Sequence, residues 1–583
     1  MTTGGVASKR KAPARPSKKR TTKRKKLSKE ELEARRVQRR QYTQVRNIFA
    51  GSGFKRVPQA SDVEFTFDGT TSDVDDIFIS ENIVVLVEYT TTKSSAISGH
   101  LKKKAFLYSK IERDPKTFVE YASGAPLFAT SEVLKTYMSS QVEVRILYCS
   151  RQKIDKDLKE EVEHCIYLDH EVVQYLHTVV GAIRTSARTE LLAFLGVVPS
   201  KYGSQAHQPG SVPAQVYRGS VLPEDHSRFP KGYKIVSFYM DPESLLKRAY
   251  VLRRDGWREG GALYQRLIQK SKIESMRKYL TTHERVFVNN IIVTLPPETR
   301  ILDENTNTVE PGSISLTSPA NVSIPDAFNS VGIIDGQHRL FCYHEGGVDD
   351  DQIKVLRKQQ NLLVTGIVYP AKTSPLEREA FEARLFLEIN STQTNAKSEL
   401  RQAINRIIQP FADASIARAV QEELNERGPL AGMFQRYVFE TQLMKTTTVV
   451  SYGLRPLVRI GGPLFRVWKN GDKDRMVEDK DDVALAAYVQ FCVKSINAFL
   501  GPAREAIGSD RWAIKTRKSD GVVTTTLVNG LLGALRQQLD QDVQMTPDQF
   551  RVALKGLDKF DFGRYKSSQY TVMSTDIAAA FLT

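Results

Sequence analysis

The stretch at residues 331–340, "VGIIDGQHRL", decides how the chain reads. Its apolar run, Val331 to Ile334, stops abruptly at Asp335 and Gly336, and the polar trio Gln337, His338 and Arg339 then opens an apolar helix candidate. A buried strand turning through glycine into a helix is a joint of an α/β layer. The same joint suits an anion. A helix start offers backbone N–H groups, Gly336 permits close approach, and Arg339 can contact a phosphate bidentately. His338 can bond that phosphate or position a water, while Asp335 can cap the helix or help hold a metal. An ordinary helix cap beside a surface arginine has the same spacing.

Around this joint, "YKIVSFYM" (233–240), "RVFVNNIIVTLP" (285–296) and "LLVTGIVYP" (362–370) read as strands of one mixed α/β unit. From about 377 helices dominate, as in "PLEREAFEARLFLEINS" and "DVALAAYVQFCVKSINAFLG". On the N-terminal side, residues 199–232 are rich in Pro, Gly and Ser and read as a linker.

The pentapeptide is the naming motif of the DGQHR family, which is similar to the ParB/sulfiredoxin-like superfamily and occurs in bacterial DNA-modification and defence gene clusters. Those clusters include phosphorothioation and 7-deazaguanine systems. The flanks extend the resemblance. "YQRLIQKSKIESMRKYLTTHERVFVNNIIVTLP" resembles the family's Arg-containing lead-in, helix and strand, and "LFLEINSTQTNAKS" its Asn- and Gln-bearing segment. By this resemblance Asp335, Gly336, Gln337, His338 and Arg339, with Arg266, Asn390 and Gln393, form a site for ATP or CTP, with slow hydrolysis as a further expectation.

A second candidate site precedes the linker. "SKEE" places Glu31 three residues after Ser28, a capping box opening a helix that ends at Gly51. "VDDIFIS" and "IVVLVEYT" follow as strands joined by a turn at "EN", then the basic helix candidate "SGHLKKKAFLYSKIE" and the strand "VEVRILYCS". Strand alternation puts Glu88 and Thr90 on one face, where Asp75 or Asp76 from the neighbouring strand can join Glu88 around Mg²⁺. This pattern resembles the PD-(D/E)XK nuclease fold, in which such a pair holds the metal that activates water. Thr90 stands where that family has lysine, so Lys93, or Lys102, Lys103 and Lys104 on the next helix, are candidates for the missing cation. Those three lysines are also candidates for contacting DNA phosphates, although charge runs are usually solvated faces. An inactive nuclease-like DNA-binding domain shows the same pattern.

Composition sets the outer limits. The net charge is +17, but residues 1–40 hold sixteen Lys or Arg against three Glu and so account for +13 of it. The first 27 residues are basic, without apolar periodicity, and read as a disordered tail that binds a polyanion or serves as a solubilising or partner-binding arm. Four scattered cysteines fit neither a zinc site nor a disulfide framework. Isolated histidines such as His164 and His170 read as structural groups.

The sequence therefore predicts an α/β multidomain protein. Its parts are a basic tail (1–27), a PD-(D/E)XK-like domain (28–198), a linker (199–232), a ParB/sulfiredoxin-like α+β core (233–400) and a mainly helical region (401–583). The expected setting is the cytoplasm, with no membrane, and the expected partners are DNA and DNA-modification enzymes of the same gene cluster. The expected role is a DNA-associated enzyme, an NTP hydrolase, an Mg²⁺-dependent nuclease or both. A non-catalytic DNA-binding regulator or a scaffold is the alternative.

Overall fold

The computed structural model describes residues 28–582 apart from 62, 92–93, 125–132, 153, 208–212, 254–256, 258–266, 392–404, 407, 437–439, 469–470, 517–519 and 542–543. The basic tail lies outside the described residues, as do Lys93, Arg266 and Gln393. The chain is a mixed α/β protein with two large sheets and a helical C-terminal part.

Helix α1 (Lys29–Gly51) starts at the expected capping box, with Ser28 and Glu31 each bonding the other's backbone. Beyond it come β1 (Lys55–Arg56), the small hairpin of β2 (Phe65–Phe67) and β3 (Thr70–Ser72), then β4 (Asp76–Ser80) and β5 (Ile83–Thr90). Glu81 and Asn82 turn the chain between β4 and β5, and Glu81 takes a left-handed φ of 52°. Helix α2 (Ser94–Arg113) leads on to β6 (Glu143–Ser150) and β7 (Ile166–Leu168). These strands form a sheet in the order β1-β4-β5-β6-β7, antiparallel as far as β5 and parallel from β5 to β7. All eight residues of β5 are buried, because helices cover both faces. On one face Val85, Val87 and Tyr89 share a core with α1 and the helix His170–Ile183; on the other Val84 and Leu86 share one with Leu101 and Tyr108 of α2.

The second sheet has eight strands: β8 (Ala214–Val221), β9 (Lys234–Met240), β10 (Ala249–Tyr250), β11 (Ile291–Leu295), β12 (Arg300–Leu302), β13 (Ser318–Pro325), β14 (Val331–Asp335) and β15 (Leu362–Val368). Their order is β10-β14-β11-β15-β9-β8-β13-β12. Strand β8 lies inside the stretch expected to be a linker. The Pro, Gly and Ser residues punctuate it, yet "AQVYRGSV" pairs along its whole length with β13. The preceding turn is also fastened to the first sheet, since the Asn82 side chain bonds the Lys201 carbonyl (2.8 Å) and the Gly203 amide (2.8 Å).

The two sheet units share one apolar core running from Val45 to Val368. Across their junction Thr185 N–H donates to the Glu345 carbonyl (3.3 Å), Glu345 N–H to Ser186 Oγ (2.9 Å), and Asn329 Nδ2 to the Thr189 carbonyl (2.9 Å). The C-terminal part has its own core, from Ile416 to Leu582. Its helix Asp482–Ile507 is long and apolar enough, by length and composition, to cross a membrane, and no other helix among the described residues is. Tyr488, Cys492, Ile496, Phe499, Leu500 and Ala503 place it at the centre of that core.

Candidate active site

Antiparallel pairing sets Asp76 opposite Val87, so its side chain lies on the Val87–Tyr89 face of the sheet, away from Glu88. There Asp76 is fully buried and accepts from Arg46 Nε (2.7 Å), Arg56 Nε (2.5 Å), Tyr89 Oη (3.0 Å) and Ser61 Oγ (3.2 Å). Asp75 accepts from the Tyr89 amide (2.7 Å) and from Tyr42 Oη (3.3 Å). Asp76 therefore does not form the expected metal pair with Glu88, and the side chain of Asp75 bonds Tyr89 and Tyr42. These two aspartates bolt α1 to the sheet.

Glu88 faces α2. Its Oε2 accepts from Lys104 Nζ at 2.8 Å, and the same ammonium donates to Asp73 Oδ1 at 2.9 Å, so two carboxylates converge on one lysine. Glu88 Oε1 lies 3.4 Å from His100 Nε2, and His100 Nδ1 shares a 2.8 Å hydrogen bond with the hydroxyl of Tyr148, the residue beside Glu88 on β6. Thr90, on the same face as Glu88, bonds the Tyr148 hydroxyl. Burial opposes charge on Lys104, but its bonds to Glu88 and Asp73 outweigh this and raise its pKa. Tyr108, one turn beyond Lys104, is 1% exposed, and its hydroxyl has no partner among the described residues. Burial, then the Glu88 charge, hold that phenol well above its ordinary pKa.

Of the three lysines expected at phosphate, Lys104 turns inward to Glu88 and Asp73. Lys102 is exposed and paired with Glu161 (2.6 Å), and Lys103 is exposed. The sequence reading missed Asp73, His100, Tyr148 and Tyr108. The i, i+4, i+8 spacing of His100, Lys104 and Tyr108 on one helical stripe was the available signal. No group of three or more His, Cys, Asp or Glu suited to a metal occurs among the described residues. Asp73 and Glu88 are two carboxylates that meet at the Lys104 ammonium.

At the DGQHR segment the strand-turn-helix joint forms where the sequence placed it. Gly336 takes a left-handed φ of 96°, and the helix that follows, Gln337–Phe341, has five residues. The expected anion cradle differs in two ways. Gly336, not Asp335, occupies the cap position, with no side-chain cap bond. Arg339 is turned inward, donating from one Nη to Asp335 (2.7 Å) and to the Asn290 carbonyl (2.9 Å). Its Nε is buried without a partner among the described residues. Burial, then the positive charges of Lys272, Arg253 and Arg339, lower the His338 pKa to about 4, so the ring is neutral at pH 7. Asn390 donates to the Phe386 carbonyl of its own helix (2.9 Å), Pro375–Ser391, which packs on β14. Within that packing Glu382, 1% exposed, accepts from Tyr250 (2.5 Å), Thr294 (2.6 Å) and Tyr369 (2.7 Å).

No protein-family model, curated protein or solved structure matches this chain.

Proposed function

We propose that this protein engages DNA in a bacterial modification or defence system and cuts phosphodiester bonds at the Asp73, Glu88 and Lys104 cluster. The observation that carries the reading is the convergence of both carboxylates on Lys104. It is the arrangement a PD-(D/E)XK-like site needs, with the lysine delivered by α2 instead of by position 90. Asp73 and Glu88 would hold Mg²⁺, which supplies a polarised phosphate and an activated water. Lys104 offers positive charge beside the scissile phosphate, and His100 is held by Tyr148 at the rim. Incision of supercoiled plasmid with and without Mg²⁺ tests the reading: wild type should nick only with the metal, and Glu88→Gln should not nick.

A second reading, a nuclease-like domain that binds DNA without cutting, is favoured by the saturation of Glu88. It is 6% exposed, and Lys104 and His100 already engage its two oxygens. That reading predicts DNA binding without incision under any divalent metal.

The nucleotide at the DGQHR segment is a separate part of the proposal. Its support is the left-handed glycine turn at Gly336 and the buried Nε of Arg339, which has no partner among the described residues. A bound phosphate would have to displace Asp335 from Arg339. A thermal shift with ATP or CTP that Arg339→Ala abolishes is the expected result; no shift with either nucleotide overturns this part.

A further inference from the structure

Helix α1 is built in two halves. From Gln41 onward it is anchored. Gln41, Val45, Ile48 and Phe49 are buried, Arg46 bonds Asp76, and the Tyr42 ring stacks on Tyr89 with centroids 4.1 Å apart. From Ser28 to Arg40 every residue except the half-buried Val37 is exposed. Among the described residues no core holds these turns.

The sequence of the exposed half is polarised along its length. Its acids, Glu30, Glu31 and Glu33, lie in the first turns, where they suit the helix dipole. The part nearer the anchor, "ARRVQRR" (34–40), has four arginines and no acid. Arg35 with Arg39 and Arg36 with Arg40 make two adjacent i, i+4 rows, about 6 Å apart within each row. By helical rotation these rows lie opposite Gln41, Val45, Ile48 and Phe49, on the outward side. Arg36 meets Glu33 at 3.6 Å between two exposed side chains, a contact of little strength; Arg35, Arg39 and Arg40 form no ion pair among the described residues.

We infer that this arginine face is a docking surface for the phosphate backbone of duplex DNA. Charge complementarity selects the partner. Four guanidiniums on a rigid rod present forked donors to phosphates and little else, and the exposed half has only Leu32 and Val37 as large apolar groups. That is too little to bury in a lipid interface. The rod is also fixed to the proposed cutting site, because Tyr42 holds Asp75, two residues beyond Asp73. The inference rests on the DNA reading above but not on cleavage.

Binding of a short fluorescent duplex, followed by anisotropy in EDTA across a salt series, tests it on the full chain. One variant carries Arg35→Gln, Arg36→Gln, Arg39→Gln and Arg40→Gln; a second carries Lys at the same four positions. The Gln variant should bind at least about tenfold more weakly at low salt, with a log–log salt slope shallower by up to about 3.6, at roughly 0.9 for each of the four phosphates no longer neutralised. The Lys variant should keep most of the affinity, which shows that the fold tolerates the changes. Unchanged affinity and slope in the Gln variant overturn the inference and leave the cutting site to the nicking assay. So does binding of anionic lipid vesicles, but not duplex, through the same arginines.

Discussion

Asp76 and Glu88 carry the same charge on neighbouring strands, and which way each points decides what it does. Asp76 is buried against Arg46, Arg56, Tyr89 and Ser61, so Asp76→Ala strands two arginines beside an apolar core. Loss of about 3 kcal/mol in a denaturant titration is the expected result; a loss below about 1 kcal/mol would mean that solvent already carries those charges. Histidine protonation supplies a second residue-level outcome. His338 and His344 are held near pKa 4, mainly by burial and then by nearby arginines and, for His338, Lys272, against 6.5 when unfolded. Between those values the unfolded chain takes up protons that the folded chain does not, so stability is full above about pH 6.5 and falls as pH drops toward 4. Replacing both with Gln should flatten the melting temperature between pH 6.5 and 4.5; an unaltered slope contradicts the assignment. In the sequence Glu88 and Thr90 were legible as a same-face pair. The choice among Asp73, Asp75 and Asp76 was not, because Asp73 and Asp75 precede the strand and alternation says nothing about them.

At the scale of elements, β14 and its glycine turn were readable because an apolar run ending in Asp-Gly has few other meanings. The partner of β14 was not readable. Gly332 leaves no space for a side chain, since an added Cβ would sit 2.6 Å from Glu382 Oε1 and 2.7 Å from Tyr250 Oη. Gly332→Ala should therefore push the helix Pro375–Ser391 off the strand, at a cost of about 1–3 kcal/mol by overpacking. A wild-type melting temperature in that variant would show that the Glu382 cluster yields freely. The reading of 199–232 as a linker failed for a related reason. Composition marks turns, but β8 is held by pairing with β9 at its end and with β13 along its whole length, and β13 is more than a hundred residues further along the chain.

Over the whole molecule, the mixed α/β architecture and the helical C-terminal part were foreseen from hydrophobic periodicity, while the fusion of the two sheet units into one core was not. Contacts such as Asn329 to Thr189 join residues far apart in sequence, and local pattern has no access to them. Two thermal transitions are expected by calorimetry, one for the joined sheet units and one for the C-terminal core; a single transition would show that the two cores melt together. The central claim is the phosphodiester site on the α2 face. Its most direct test is the single-turnover rate of Mg²⁺-dependent incision of duplex DNA by Lys104→Met and Asp73→Asn, compared with wild type. Incision by wild type is expected, with a loss of at least about a hundredfold in both variants; incision that survives both substitutions, or no incision by wild type with any divalent metal, overturns the site.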